Sequence, residues 1–477
     1  MAGIGFELRK LYARKGIISK LRAYAFTGVI VTGPTLLGMG FLFAVQAIGI
    51  SSGISSHERE LLACMITYAL LGSLVLTGFI TMPLTRYVSD MLYEGREDLV
   101  LPSFEGALAV LLPVGVVLCL AFQLATGQGS MIVMLNVMLF GELIVVWIST
   151  TYLSAIKDYR GILTGYLISM STAIAASLTT CLVWGAQLRL LLACVTLGYG
   201  IMMVYSISLL YRFFPHAEEH YLLWLAWVAD HRDLVAIGVC NYVAVFSYIA
   251  ISWFGPLGKE VAPLYYASPE HDIPAFFAFL SGLITQITFV ASAEVNFYPV
   301  YRRYYDLFNT TGSIVDIDAT QEEMLMVLDR ELGDLARKQL LASALCISVG
   351  SAFLEQLPLG FTPAMSSYFV LLCVGYCAYS IGNVVTLMDL YFDDTHGVTI
   401  ATVTFALVTT LGSLAAVLWL PVEDYAAGFV VGALVFLFVA WFRLYLFTRN
   451  LPYMILSEQP LVAAERRGLL KRLSERA

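Results

Sequence analysis

The chain has 477 residues, 59% of them hydrophobic and only 13% charged, with a mean hydropathy of +0.79. A soluble domain carries about 25% charged residues, so the composition argues against a soluble enzyme or nucleic-acid binder and indicates an all-α polytopic membrane protein. The net charge of −8 says less than the places where the charges lie.

Residues 1–23 read as a cytoplasmic interfacial amphipathic segment, with Ile4, Leu8, Leu11, Ile18 and Leu21 on one side and basic residues elsewhere. No apolar stretch there ends in a small-residue cleavage site, so a removable signal peptide is not expected. Runs long enough for ~20 helical residues follow at 24–50, 61–83, 105–126, 130–156, 162–184 and 189–211. After a polar break come 233–255, 274–300, 338–356, 362–391, 398–420 and 425–447. These predict twelve spans. With the N-terminus inside, the outward-facing loops hold only Arg59, Arg189 and Lys259 of the 27 Lys and Arg. The positive-inside rule then places both termini in the cytoplasm.

In span 1, Gly33-Pro34 predicts a hinge. Span 2 ends "MPLTRYVSDML" and span 8 ends "YPVYRRYYDLF"; both read P-x-x-R-x-x-x-D, with Pro83, Arg86 and Asp90 against Pro299, Arg302 and Asp306. The turns after spans 4 and 10, "KDYRG" (157–161) and "DDTHG" (393–397), share D-x-x-G. Echoes at matching ordinal positions predict a parallel repeat. The bundles are 24–211 and 233–447, joined by a cytoplasmic linker 212–232. A cytoplasmic loop 301–337 interrupts the second bundle, and 448–477 is a cytoplasmic tail. In the linker, Trp224 and Trp227 suit the membrane interface. In the loop, Thr320 and Glu323 fit a capping box, and Leu325, Leu328, Leu332 and Leu335 form one apolar stripe. That stripe either rests on the protein or the membrane, or docks a partner.

The eight cysteines lie scattered in apolar runs without metal-binding spacing and read as small buried hydrophobes. No nucleotide-binding fingerprint is present, so ATP consumption, enzymatic activity, a metal and a cofactor are not expected. The charges inside spans are acidic: Glu142 mid-way along span 4, Glu294 near the end of span 8 and Asp389 near the end of span 10. A charge at helix centre costs at least ~2.5–3.5 kcal/mol, so each acid is either protonated and structural or faces a polar lumen. Such a lumen suits neutral or cationic cargo. Asn136, Asn241, Asn296, Asn383, Gln46 and Gln286 add amides, and Tyr242, Tyr376 and Tyr379 add rings. Amides with rings suit a sugar. The same aromatics also serve as packing residues in many membrane proteins.

"MAGIGFELRKL", "GPTLL" in span 1, "SPEHDIPAFFAFLS" (268–281), "E-x-N-F" (294–297) with "YRRYYD", and "LYFDD" (390–394) are similar to the PelG family, transporters of the Pel exopolysaccharide system. That family belongs to the multidrug/oligosaccharidyl-lipid/polysaccharide exporter superfamily. The resemblance implies two six-helix bundles and passage of a cationic amino-sugar polymer across the bacterial inner membrane for biofilm matrix. It also implies work beside a PelF-like cytoplasmic glycosyltransferase and PelD-like and PelE-like membrane partners, with no nucleic acid. Glu142, Glu294, Asp389, Asn241, Tyr242, Asn296, Asn383, Tyr376 and Tyr379 are expected along a substrate path. Arg86, Asp90, Arg302, Asp306, Asp393 and Asp394 are expected at a cytoplasmic gate, where Asp393 and Asp394 either receive cationic sugar or cap a helix. Ser247 and Tyr248 depart from the Asp-Lys pair that relatives often carry there, which weakens any charge-based role for that place. The rival expectations are a lipid-linked oligosaccharide flippase, which needs a cationic site, and a non-transporting scaffold for the synthase.

Overall fold

The computed structural model describes residues 17–214, 221–309, 312–354 and 362–457. The expected amphipathic segment (1–16 of it) and most of the tail (458–477) lie outside the described residues. The first half runs α1 (Ile17–Ser51), α2 (Ser56–Tyr93), α3 (Val100–Ala125), α4 (Ser130–Ala155), α5 (Tyr159–Trp184) and α6 (Leu188–Phe213). A short α7 (Leu223–Asp230) leads to α8 (Arg232–Phe254) and an antiparallel hairpin, β1 (Lys259–Ala262) with β2 (Tyr265–Ala267). Then come α9 (Pro269–Ser281), α10 (Leu283–Ala291), a π-helical turn (Ser292–Phe297) and α11 (Tyr298–Asn309). The chain continues with α12 (Ile314–Leu354), α13 (Pro363–Tyr391), α14 (Thr395–Trp419), α15 (Ala427–Arg449) and α16 (Leu451–Ser457).

Eleven helical segments among the described residues are long and apolar enough to cross a membrane. The expected ninth span is not among them as a separate helix. Its run is the C-terminal half of α12, which is continuous for 41 residues and charged in its first half. The capping box also moves. Ser313 Oγ accepts from Asp316 N at 3.2 Å and donates to the Asp316 carboxylate at 2.6 Å, so α12 starts about two turns earlier than Thr320. Thr320 instead donates back to Asp316 O at 2.6 Å. The stripe rests on the protein itself: Met324, Leu328, Leu332 and Leu335 are buried, while Leu325 is only partly covered. The same local chemistry starts α2, where Ser55 Oγ accepts from Glu58 N and donates to the Glu58 carboxylate.

The chain packs as two compact units. The first comprises Gly33–Tyr242 and Gly258–Ala267; the second comprises Val243–Leu257, Ser268 onward and the chain up to Thr32. The chain thus changes unit inside two helices, at Thr32/Gly33 in α1 and at Tyr242/Val243 in α8. Within α1, Thr32 Oγ1 donates to Gly28 O at 2.8 Å, and Pro34 lacks the N–H that would bond one turn back. Both loosen the helix at that point. Gly33 has a second duty, because a Cβ there would overlap Leu163 of α5.

The core of the first unit is a layer of Leu, Ile, Val, Met and aromatic side chains from α1 to α7. Trp224 on α7 is buried in it rather than set in a headgroup belt, and Trp227 packs edge-on against Tyr87. The linker is close enough to α3 that a Cβ on Gly106 would overlap the Tyr221 carbonyl and Trp224 Nε1. Backbone cannot give way as a side chain does. Gly106→Ala is therefore expected to cost about 1–3 kcal/mol of stability by overpacking, read as a lowered Tm in detergent; an unchanged Tm would mean the linker is not held there. The hairpin is anchored to the same unit. Tyr68 Oη donates to Tyr266 O and accepts from Tyr266 N, both at 3.0 Å, and Lys259 pairs with Glu60 at 2.7 Å. Burial pushes the Tyr265 phenol above its ordinary range, so it stays neutral against Gln123, with the two side chains 2.8 Å apart at Nε2.

Of the eight cysteines, all free, Cys64, Cys119, Cys194, Cys373 and Cys377 are buried and the other three partly so.

Candidate functional site

The two D-x-x-G stretches fold alike. Lys157 and Asp393 both adopt left-handed backbone, φ 62 and 69°, which lets the chain reverse tightly between helices. The following Asp then caps the next helix: Gly161 N donates to Asp158 at 3.1 Å and Gly397 N to Asp394 at 2.9 Å. Glycine is required at that third position, since a Cβ would overlap the capping carboxylate in both turns.

The halves differ in what covers the turn. Leu209 lies over Gly161, whereas Arg443 of α15 lies over Gly397. Arg443 grips Asp394 in a two-pronged ion pair, Nε to Oδ2 at 2.6 Å and an Nη to Oδ1 at 3.0 Å. Asp394 is fully buried, so it caps and pairs rather than standing open at a gate. The turn holds no Lys or Arg in sequence; its cation arrives from a helix about 50 residues on. Asp389, one turn earlier and 1% exposed, has neither carboxylate oxygen bonded among the described residues. It is buried at the end of α13, close to this ion pair. Asp393 is exposed and remains at the surface of the turn.

Arg86 and Asp90 pair within α2 at 3.1 Å, and Arg302 and Asp306 within α11 at 3.6 Å. The second echo is thus a shared i,i+4 staple on exposed helix ends, worth a few tenths of a kcal/mol.

Among the path candidates, Glu142 is in an open position. It is half-buried on α4, Oε2 has no partner among the described residues, and it lines a groove of about 750 Å³ with Thr196, Gly200, Tyr205 and Ser208 of α6. Gly200 makes the room, since a Cβ there would stand 3.0 Å from Glu142 Oε1. Asn241 also keeps a buried, unbonded Oδ1. Tyr242 is a packing residue, its ring filling the space left by Gly78.

In the second unit the expected sugar-facing rings pack on one another. Tyr376 is 4% exposed, its hydroxyl 2.7 Å from that of Tyr248. Tyr379 stacks with Phe405 and Phe436. On α8, Ser247 accepts from Thr410 Oγ1 at 3.0 Å. Asn383 contributes its carbonyl to Thr386.

Span 8 is not one smooth helix. It breaks at Gly282 and again at the π-turn Ser292–Phe297 that carries Glu294 and Asn296. The Glu294 side chain lies outside the described residues. The turn is held by a residue that sequence reading passed over. Glu331 of α12 accepts from Ser292 Oγ at 2.6 Å and from Asn296 Nδ2 at 2.9 Å. Below it, Arg303 pairs with Glu323, and Tyr301 donates to Tyr391 O at 2.8 Å. π-turns concentrate at functional sites. Glu331 was hidden because it sits in a stretch that reads as a solvated charged helix.

The fold is that of the MOP-superfamily transporters. An outward-facing multidrug resistance MATE transporter superposes with TM-score 0.59 at 13% identity, covering 91% of this chain and 97% of that one. An inward-facing one gives 0.55 at 10%, covering 91% and 100%. A MOP-superfamily transporter from Pyrococcus furiosus gives 0.56 at 12%, covering 89% and 96%. No curated protein matches the chain. Residues 1–456 match the PelG exopolysaccharide exporter (EPS-E) family, and the chain belongs to that family. It is a multi-pass membrane protein of transporter fold.

Proposed function

We propose that the protein carries a Pel-type cationic amino-sugar polymer across the bacterial inner membrane, taking it from a PelF-like cytoplasmic glycosyltransferase beside PelD-like and PelE-like partners. Both termini lie in the cytoplasm, and the exported polymer serves a biofilm matrix. The observation that carries this reading is the family match over residues 1–456, joined to a transporter fold. The half-buried, unbonded Glu142 in its groove supports cationic cargo, because a desolvated acid gains most from a matching cation.

Inverted membrane vesicles holding this protein and its synthase partners, fed labelled UDP-amino sugar, test the reading. Polymer is expected to become protected from added hydrolase only when this chain is present, and Glu142→Gln is expected to reduce protection without reducing synthesis. Polymer made but equally exposed with and without the chain would overturn transport. Polymer absent without the chain would mean a scaffold.

A further inference from the structure

A second cavity in the first unit is independent of the Glu142 groove. It encloses about 350 Å³ between α2, α3 and α4 and is lined by Tyr68, Phe122, Phe140 and Leu76. Its rim carries Gly72, Val75 and Leu118, all exposed and all on membrane-spanning helices. The cavity therefore opens on the exposed side of these membrane-spanning helices.

The lining is apolar with one exception that has no partner. Asn136 is 1% exposed, and its Nδ2 finds no acceptor among the described residues. The other polar groups are satisfied: Gln123 and the Tyr265 hydroxyl bond each other at 2.8 and 3.1 Å, and Tyr68 bonds the hairpin backbone. A buried water needs two to four polar partners, and this cavity offers fewer. A buried amide donor left unbonded is costly. The fitting occupant is a flexible apolar chain bearing one acceptor.

Depth selects the same ligand. Asn136 lies six residues into the 26-residue α4, or about 9 Å along its axis. A helix about 39 Å long overhangs a hydrocarbon core of about 30 Å by a few ångströms at each end. That sets the amide just below the level of the glycerol esters. We infer that a membrane phospholipid inserts an acyl chain past Val75 and Leu118 into this cavity, with its ester carbonyl accepting from Asn136 Nδ2.

Two photoactivatable phosphatidylcholines separate this from plain contact with bulk lipid. They share a mid-chain diazirine and differ only in an ester or an ether at that chain's glycerol link. Each is added in trace to phosphatidylethanolamine vesicles holding the full-length protein, and cross-links are mapped by peptide mass. The ester probe is expected to label 118–123 and 136–140 roughly three- to tenfold more than the ether probe, the worth of one hydrogen bond. Asn136→Leu should equalise the two. Leu118→Trp, at an exposed position, should lower both there and leave labelling unchanged on the outer face of α15, at Val431, Leu434 and Phe438. Labelling of the cavity segments no greater than that of α15 overturns the site. An ester preference that survives Asn136→Leu overturns the contact.

Discussion

Arg443→Ala is expected to lower stability by about 3–5 kcal/mol, the usual cost of removing one partner from a buried ion pair. Asp394 is fully buried and Arg443 about three-quarters covered, so solvent cannot replace the guanidinium. Thermal unfolding in detergent reads the effect. Asp394→Asn in the Arg443→Ala background should recover much of it, because the amide oxygen still caps Gly397 N and carries no charge. Arg443→Lys should recover less, since a single ammonium cannot make both contacts. If Arg443→Ala unfolds with the wild-type midpoint, the ion pair does not hold these helix ends together.

Glu331→Ala is expected to weaken the π-turn locally by about 2 kcal/mol, since bonds to a charged acceptor run about 1.5–3 kcal/mol and Asn296 is open to solvent. That corresponds to roughly thirtyfold faster amide exchange over 292–297. Glu331→Gln keeps one acceptor oxygen and should lie between. Under the proposed function, polymer protection in vesicles should fall in the same order as exchange rises. A Glu331→Ala protein that exchanges as slowly as wild type would remove Glu331 as the clasp. Normal exchange with lost protection would instead assign Glu331 a role in export unrelated to the turn.

Features governed by local rules were legible in the sequence. Apolar runs marked the helices, and the repeated P-x-x-R-x-x-x-D and D-x-x-G stretches marked equivalent staples and caps, because i,i+4 pairing and Asp capping act over four residues. Distance in the chain hid the rest. Arg443 pairs with Asp394 across α14, so the DDTHG turn looked free of cations. The burial of Asp389 was not legible either, because an acidic residue near a span end carries no sequence mark for burial. The sugar-facing reading of Tyr376 gave way to ring-on-ring packing, which periodicity cannot distinguish from a lumen. The start of α12 was placed late because both Ser313-x-x-Asp316 and Thr320-x-x-Glu323 fit a capping box, and the second precedes the stronger apolar stripe. The π-turn left no trace at all, since its stabilising carboxylate comes from another helix.

The uninterrupted α12 has a mechanical meaning. Its 41 residues make a rod about 60 Å long, twice the thickness of the hydrocarbon core. Its first half is charged and its second half apolar. No proline breaks it, and Glu331 grips the π-turn from a point near its middle. Because a single straight helix joins the charged half of α12 to its apolar half, any tilt of that rod would reach span 8 at the π-turn that Glu331 holds.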